Sequence, residues 1–303
     1  MDAVEIVEVA ARDGLQNEPT VLPTADKLDL IRRSLAAGVR RIEVASFVDP
    51  AKVPQLADAE DVVAGLPPAD GAVYVGLVLN RRGLERALAG GLPEVNYVLF
   101  ATDEFSRRNQ GMGTGRSLEV WADVAVAGRA AGVRATLTIS AAFGCPYTGE
   151  VPTARVAGLV GQAAAAGLDE VALGDTIGVG VPTQVTELVA AVREAAPGVR
   201  LRCHFHDTRN TGLANAYAAV LAGVDALDAS TGGIGGCPFA PAATGNVPTE
   251  DLVWMLERMG VSTGLDVGIL IETAAWLGER LDRSLPARLG RAGIFPVRSV
   301  RPA

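Results

Sequence analysis

The sequence predicts an α/β fold, a (β/α)8 TIM barrel, on three observations. A unit of short β-branched run, loop and Ala/Leu-rich helical stretch recurs about eight times, no low-complexity linker breaks the series, and glycines stand where the helical stretches should stop. In chain order, the β-like runs begin near Val4 (VEIVEV), Arg41 (RIEVASF), Val73 (VYVGLVL), Glu94 (EVNYVLF), Arg134 (RATLTISAAF), Asp169 (DEVALG), Val199 (VRLRCHF) and Val224 (VDALDAS). Helical windows lie between them at 24–37, 84–90, 117–131, 153–166, 182–195 and 211–222. Thr24, Ser117, Thr153 and Thr183 are placed to cap helix starts, and Gly38, Gly132, Gly167 and Gly223 to end helices in the left-handed conformation that suits glycine. Strand then helix, repeated to that count, closes a barrel; a doubly wound open sheet is the rival that periodicity alone leaves open. Residues 249–303 should add a barrel helix at 249–259 and a packing element at 266–282. The whole chain, 1–303, is expected to form one catalytic barrel domain, with 260–303 a C-terminal helical extension packed on it.

With 303 residues, 49% of them hydrophobic, the chain has enough apolar material for one large core. Apolar runs stop at about eight residues, well short of the roughly 20 that a membrane helix needs, so no membrane partner is expected. A formal charge of −8, with arginines scattered among Asp and Glu, lacks the basic footprint that nucleic acid would need. The opening residues, MDAVEIVEVAARDG, show no basic region followed by an apolar stretch, so a cytoplasmic location is expected. Cys145, Cys203 and Cys237 are too few and too far apart for a disulfide framework or a CxxC zinc site.

In a barrel of this kind the chemistry sits at the carboxyl ends of the strands, and those ends are rich in polar groups here. Arg12-Asp13-Gly14-Leu15-Gln16-Asn17 follows the first strand, Glu43 lies in the second, and Gly174-Asp175-Thr176 ends the sixth. The seventh ends His204-Phe205-His206-Asp207, and the eighth runs into Gly232-Gly233-Ile234-Gly235-Gly236-Cys237-Pro238, with Gly245-Asn246 beyond. His204 and His206 are the chain's two histidines, and their i, i+2 spacing turns both to one face of a strand. They are either a metal pair or two hydrogen-bonded core histidines; Asp13 on a neighbouring barrel position favours metal. Two imidazoles, a carboxylate and the amide oxygen of Asn246 suit six-coordinate Mg²⁺ or Mn²⁺, with Zn²⁺ second. GGIGGCP lacks the lysine and hydroxyl of a P-loop and reads as a mobile lid carrying Cys237 as a proton donor or acceptor, an inert thiol being the alternative. Cys145 and Cys203 read as packing. The only lysines, Lys27 and Lys52, lie away from strand ends, which disfavours a Schiff-base mechanism and leaves enolate stabilisation to a metal and Arg12. Gln16, Asn80 and Asn109 join Arg12 as candidate substrate contacts, and Arg81, Arg82, Arg107 and Arg108 are candidate phosphate contacts.

The segments VEIVEVAARDGLQNE, RRIEVASFVDPAKVPQ, GCPYTGEV, LGDTIGVG, HFHDT and GGIGGCPFAPAATGNVPTEDLVWMLERMG, taken in order, resemble the hydroxymethylglutaryl-CoA lyases, within a metal-dependent lyase and synthase superfamily. The resemblance implies metal ligands at Asp13, His204, His206 and Asn246, a catalytic arginine at Arg12 and a catalytic cysteine at Cys237. It assigns Glu43 and Asp175 the role of orienting ligands and substrate. It further implies that a divalent metal acidifies the substrate's tertiary hydroxyl, which Asp13 or His204 deprotonates. Cleavage of the C2–C3 bond then leaves acetoacetate and an acetyl-CoA enolate, held by Arg12 and protonated by Cys237 or a relayed water. The implied partners are an acyl-CoA substrate and further copies of the chain, as a dimer or larger homo-oligomer.

Three departures leave the acyl group open. Arg209-Asn210-Thr211 stands where the family usually has Tyr-Gly-Gln, Leu77-Val78-Leu79-Asn80 where Thr-Pro-Asn is usual, and Asp103 where Glu is usual. A condensing synthase of the superfamily, joining acetyl-CoA to a 2-oxo acid, is the alternative activity; the lyase-like GGIGGCP segment and the short stretch after the barrel count against it. A catalytically silent binding barrel would require the whole constellation to be idle.

Overall fold

The computed structural model describes residues 2–236 and 245–295, so Cys237 lies outside the described residues. Eight parallel strands close on themselves: β1 (Glu5–Glu8), β2 (Arg41–Ser46), β3 (Val73–Val78), β4 (Glu94–Phe100), β5 (Arg134–Ser140), β6 (Glu170–Asp175), β7 (Arg200–Phe205) and β8 (Ala226–Ala229). The pairing Glu5↔Ala226 through Glu8↔Ala229 makes the closing seam and rules out the open sheet. Each strand is covered by side chains inside and helices outside, which is why it reads as a nearly continuous apolar run.

The helices are α1 (Thr24–Ala36), α2 (Ala59–Ala64), α3 (Arg81–Ala89), α4 (Asp103–Gln110), α5 (Thr114–Ala130), α6 (Thr153–Ala164), α7 (Pro182–Ala195), α8 (Gly212–Leu221), α9 (Thr249–Arg258), α10 (Val267–Arg280) and α11 (Leu289–Ala292). Gly38, Gly132, Gly167 and Gly223 all take positive φ, as a left-handed helix stop requires. The expected caps turn out differently. Pro23, Pro152 and Val181 hold the N-cap positions of α1, α6 and α7 with no side-chain hydrogen bond of the expected kind from Thr24, Thr153 or Thr183. Ser117 lies inside α5, where its hydroxyl donates to Gln110 Oε1 at 2.9 Å. Three helices that periodicity did not indicate, α2, α4 and α11, are short; α4 is almost wholly polar and is capped by Thr102 Oγ1, which accepts from Phe105 N.

The amino ends of the strands are closed by buried ions. Arg41, 1% exposed, pairs with Glu94 and donates to Glu170 Oε2 at 2.8 Å, while Arg202 pairs with Glu170 and Asp228. Each charge there has an opposite partner, without which burial would be prohibitive. Beyond the barrel, α10 lies along α1, with Asp266 N donating to Ala37 O and Arg33 stacked on the Trp276 ring at 4.6 Å. The chain then returns towards the carboxyl-end face, where Arg283 forks onto Glu18 at 2.6 and 3.1 Å. No helix among the described residues is long and apolar enough to cross a membrane.

Candidate active site

The first strand ends in one turn of π-helix, Ala10–Gly14, in which Gly14 N bonds back to Val9 O at 3.1 Å. The extra residue in that turn brings Arg12 and Asp13, neighbours in sequence, together on the barrel mouth, a common use of π-turns at functional sites. Gly14 is needed at its end. A Cβ there would lie 2.7 Å from Ile234 Cγ1 and 2.9 Å from Ser230 Oγ, so the turn could not sit against the segment after β8.

Asp13, His204 and His206 converge, with their ligand atoms all within 4.8 Å of one another. His204 and His206 face each other Nε2 to Nε2 at 3.1 Å, and Asp13 Oδ2 is 3.9 Å from His204 Nε2. Asp228 Oδ2 lies 3.1 Å from His204 Nδ1, which assigns that nitrogen the proton and turns the Nε2 lone pair inward. Asn246 Nδ2 is spent on Asp13 Oδ2 (2.8 Å) and Ile234 O (3.0 Å), whereas its Oδ1 is buried with no partner among the described residues. Gly235, at φ +101°, permits this approach, because a Cβ there would meet Asn246 Nδ2 at 2.6 Å.

Electrostatics prepares the same groups. Burial disfavours the Asp13 carboxylate, but Arg12, both histidines and Asn246 outweigh it and hold the carboxyl well below its usual range. Burial and the neighbouring His204 push His206 down to about 4, so its imidazole is neutral. Burial opposes charge on His204 too, yet Asp228 and Asp13 raise it. Facing imidazole nitrogens, an ionised carboxylate and an orphaned amide oxygen are a donor set that fits a divalent cation.

Arg12 stands beside this set. Its Nε donates to Glu43 Oε2 at 2.8 Å, its second terminal nitrogen bonds the same oxygen, and its first donates to Asp13 Oδ1 at 2.6 Å. These groups open into a cleft of about 1610 Å³ that Gln16, Asn80, Asn109, Thr138, Ser140 and Thr176 also line. Asn80 additionally caps α3, accepting from Gly83 N at 2.9 Å. Asp175 is placed differently: its two oxygens accept Val179 N and Gly180 N, each at 2.9 Å, so it staples the turn after β6, and burial raises its carboxyl.

Of the four expected phosphate contacts, Arg82 and Arg108 line the cleft, Arg108 also pairing with Glu104 and stacking on Tyr147. Arg81 pairs with Glu85 and Asp123, and Arg107 with Asp103, outside the cleft lining. Lys52, Arg86 and Arg283 line the cleft and were not foreseen; no strand end precedes any of them directly. Cys145 is buried with Sγ 3.1 Å from Thr102 Oγ1, and Cys203 is fully buried with its thiol pushed up by desolvation, both consistent with packing. Asp228 and Asn96 were also missed, although a lone polar residue inside an apolar strand is a readable signal.

A family model described as HMGL-like matches residues 3–277. The chain belongs to the HMGL-like family. It is 45% identical to the (R)-citramalyl-CoA lyase of Chloroflexus aurantiacus over 98% of this chain and 97% of that one. It is 40% identical to the hydroxymethylglutaryl-CoA lyase YngG of Bacillus subtilis over 94% and 95%. Among solved structures, an HMG-CoA lyase from Acinetobacter baumannii in complex with coenzyme A and 3-methylmalate superposes with a TM-score of 0.94 at 37% identity, covering 100% of this chain and 98% of that one. This member of the HMGL-like family is a carbon–carbon lyase.

Proposed function

We propose that the chain cleaves the coenzyme A thioester of a 3-hydroxy-3-methyl dicarboxylic acid, with 3-hydroxy-3-methylglutaryl-CoA giving acetoacetate and acetyl-CoA. The observation that carries the reading is the Arg12 guanidinium, clamped by Glu43 and Asp13 at the edge of the Asp13, His204 and His206 cluster, within one cleft. The coenzyme A complex of the Acinetobacter baumannii relative supports an acyl-CoA ligand. A second reading is favoured by the 45% identity to a citramalyl-CoA lyase: the same bond broken in an acid one methylene shorter would release pyruvate in place of acetoacetate.

Asp13, His204, His206 and Asn246 would hold Mg²⁺ or Mn²⁺, which when bound supplies a Lewis acid that lowers the pKa of the substrate hydroxyl. Asp228 fixes the ring and tautomer of His204. Asp13 would take the hydroxyl proton as the C2–C3 bond breaks, because His204 has no free lone pair once its Nδ1–H faces Asp228 and its Nε2 is given to the cation. Arg12 keeps N–H groups over for the enolate oxygen of the departing acetyl-CoA, where negative charge develops. Cys237 is assigned, on the family resemblance, the return of a proton to that enolate.

Product analysis with purified protein decides between the readings. Both thioesters are supplied separately with Mg²⁺ or Mn²⁺, beside a chelated control and Cys237→Ala. Metal-dependent acetyl-CoA with acetoacetate supports the first reading, acetyl-CoA with pyruvate the second. Turnover of neither thioester by folded, Mn²⁺-loaded protein would refute both.

A further inference from the structure

Asn96 sits in the middle of β4, 3% exposed, in a strand whose neighbours at Val95, Tyr97 and Leu99 are wholly buried. Its amide joins side chains of two other strands, β2 and β5. Nδ2 donates to Glu43 Oε1 at 3.2 Å, which fixes the amide's orientation because a carboxylate only accepts. Nδ2 also approaches Thr138 Oγ1 at 3.0 Å, and Oδ1 accepts from the hydroxyls of Thr138 (3.1 Å) and Thr136 (3.4 Å). Glu43 is 1% exposed and divides its oxygens: Oε2 alone receives Arg12, and Oε1 is held by Asn96. A buried polar chain therefore runs from Arg12 through Glu43 and Asn96 to Thr138, which lines the cleft.

We infer that Asn96 is a positioning residue that sets the Arg12 guanidinium by holding Glu43 in one-oxygen pairing. Free of Asn96, Glu43 would have an unpaired buried oxygen, and the cheapest remedy is to rotate so that both oxygens meet the guanidinium fork. That rotation drags Arg12 away from the place where enolate charge develops, while Asp13, His204, His206 and Asn246 stay put.

The inference rests on the lyase reading for its kinetic test but not for its structural one. In Asn96→Leu, kcat on whichever thioester is cleaved should fall between about 10- and 100-fold, the scale of a small misplacement of a catalytic group, with KM and the Mn²⁺ dissociation constant within about twofold of wild type. Asn96→Asp keeps the shape and can donate to Glu43 only while protonated, so its kcat should approach wild type at low pH and fall as pH rises. A crystal structure of Asn96→Leu should show Glu43 meeting Arg12 with both oxygens, a readout that needs no turnover. Unchanged kcat with only a lowered Tm would overturn the inference, as would an unmoved Arg12–Glu43 pair. Equal losses of Mn²⁺ affinity and kcat would overturn it too. A wild-type protein inactive on both thioesters would sink the lyase reading and leave the crystallographic test standing.

Discussion

Arg12 is held by geometry as much as by charge. Three of its nitrogens are committed to two carboxylates, and the planar fork that does this has no lysine equivalent. Arg12→Lys should therefore fold normally, lose kcat by at least about 100-fold and leave Mn²⁺ affinity nearly intact, as stopped assays and Mn²⁺ titration would show. Asp13→Asn behaves differently. It removes a charged donor from the cation cluster and an ion partner from Arg12, so Mn²⁺ affinity should drop by at least about tenfold along with activity. Affinity equal to wild type would exclude Asp13 as a ligand. At this scale the sequence was readable where chemistry is local: Arg12-Asp13 and His204-Phe205-His206 are adjacent in the chain and keep that adjacency on the barrel mouth. Asp228 and Asn96 stand out only as polar residues inside apolar strands; their roles were not readable, because they come from partners 24 and 53 residues away. Asp175 carries the opposite lesson, since its carboxylate is occupied by its own loop.

The π-turn shows how one element delivers the site. Its tight contact with Ile234 and Ser230 leaves no room for a methyl at residue 14, so Gly14→Ala must push the turn off the segment after β8. Overpacking of this kind costs about 1–3 kcal/mol, and here it also displaces Asp13 from Asn246. The variant should lower Tm by several degrees and weaken Mn²⁺ binding together; a lower Tm with unaltered Mn²⁺ affinity would show that the turn tolerates the shift. Elements with strong periodicity were legible, as were the glycine stops. The π-turn has no periodic signature, and α4 (DEFSRRNQ) buries little beyond Phe105 and Ser106, so hydrophobic pattern could not reveal it. Proline before α1 and α6 took the place of the anticipated threonine caps because its fixed φ already sets the helix entry.

Across the whole molecule, the barrel was legible because eight parallel strands must each be buried on both faces, but the contacts that join distant segments were not: Arg283 and Glu18 are separated by 265 residues. One such long-range joint makes stability depend on pH. At the start of α9, Glu250 is fully buried, accepts Gly232 N at 3.0 Å through Oε2, and has Oε1 without a partner among the described residues. Burial, with Asp251 and Glu8 nearby, pushes its carboxyl from 4.5 up to about 8. The folded chain thus keeps this proton over a range in which the unfolded chain has released it. Its contribution is complete below about pH 4.5, declines as pH rises towards 8, and is lost above that, a swing of up to about 5 kcal/mol at the limit. Glu8, also raised mainly by burial, acts in the same sense. Glu250→Gln keeps an acceptor for Gly232 N and has no proton to lose, so its urea midpoint relative to wild type should climb between pH 5 and pH 8 and level off above that. A constant difference across that range would mean that Glu250 is ionised in the folded protein, its Oε1 then satisfied by water that reaches the base of the segment after β8.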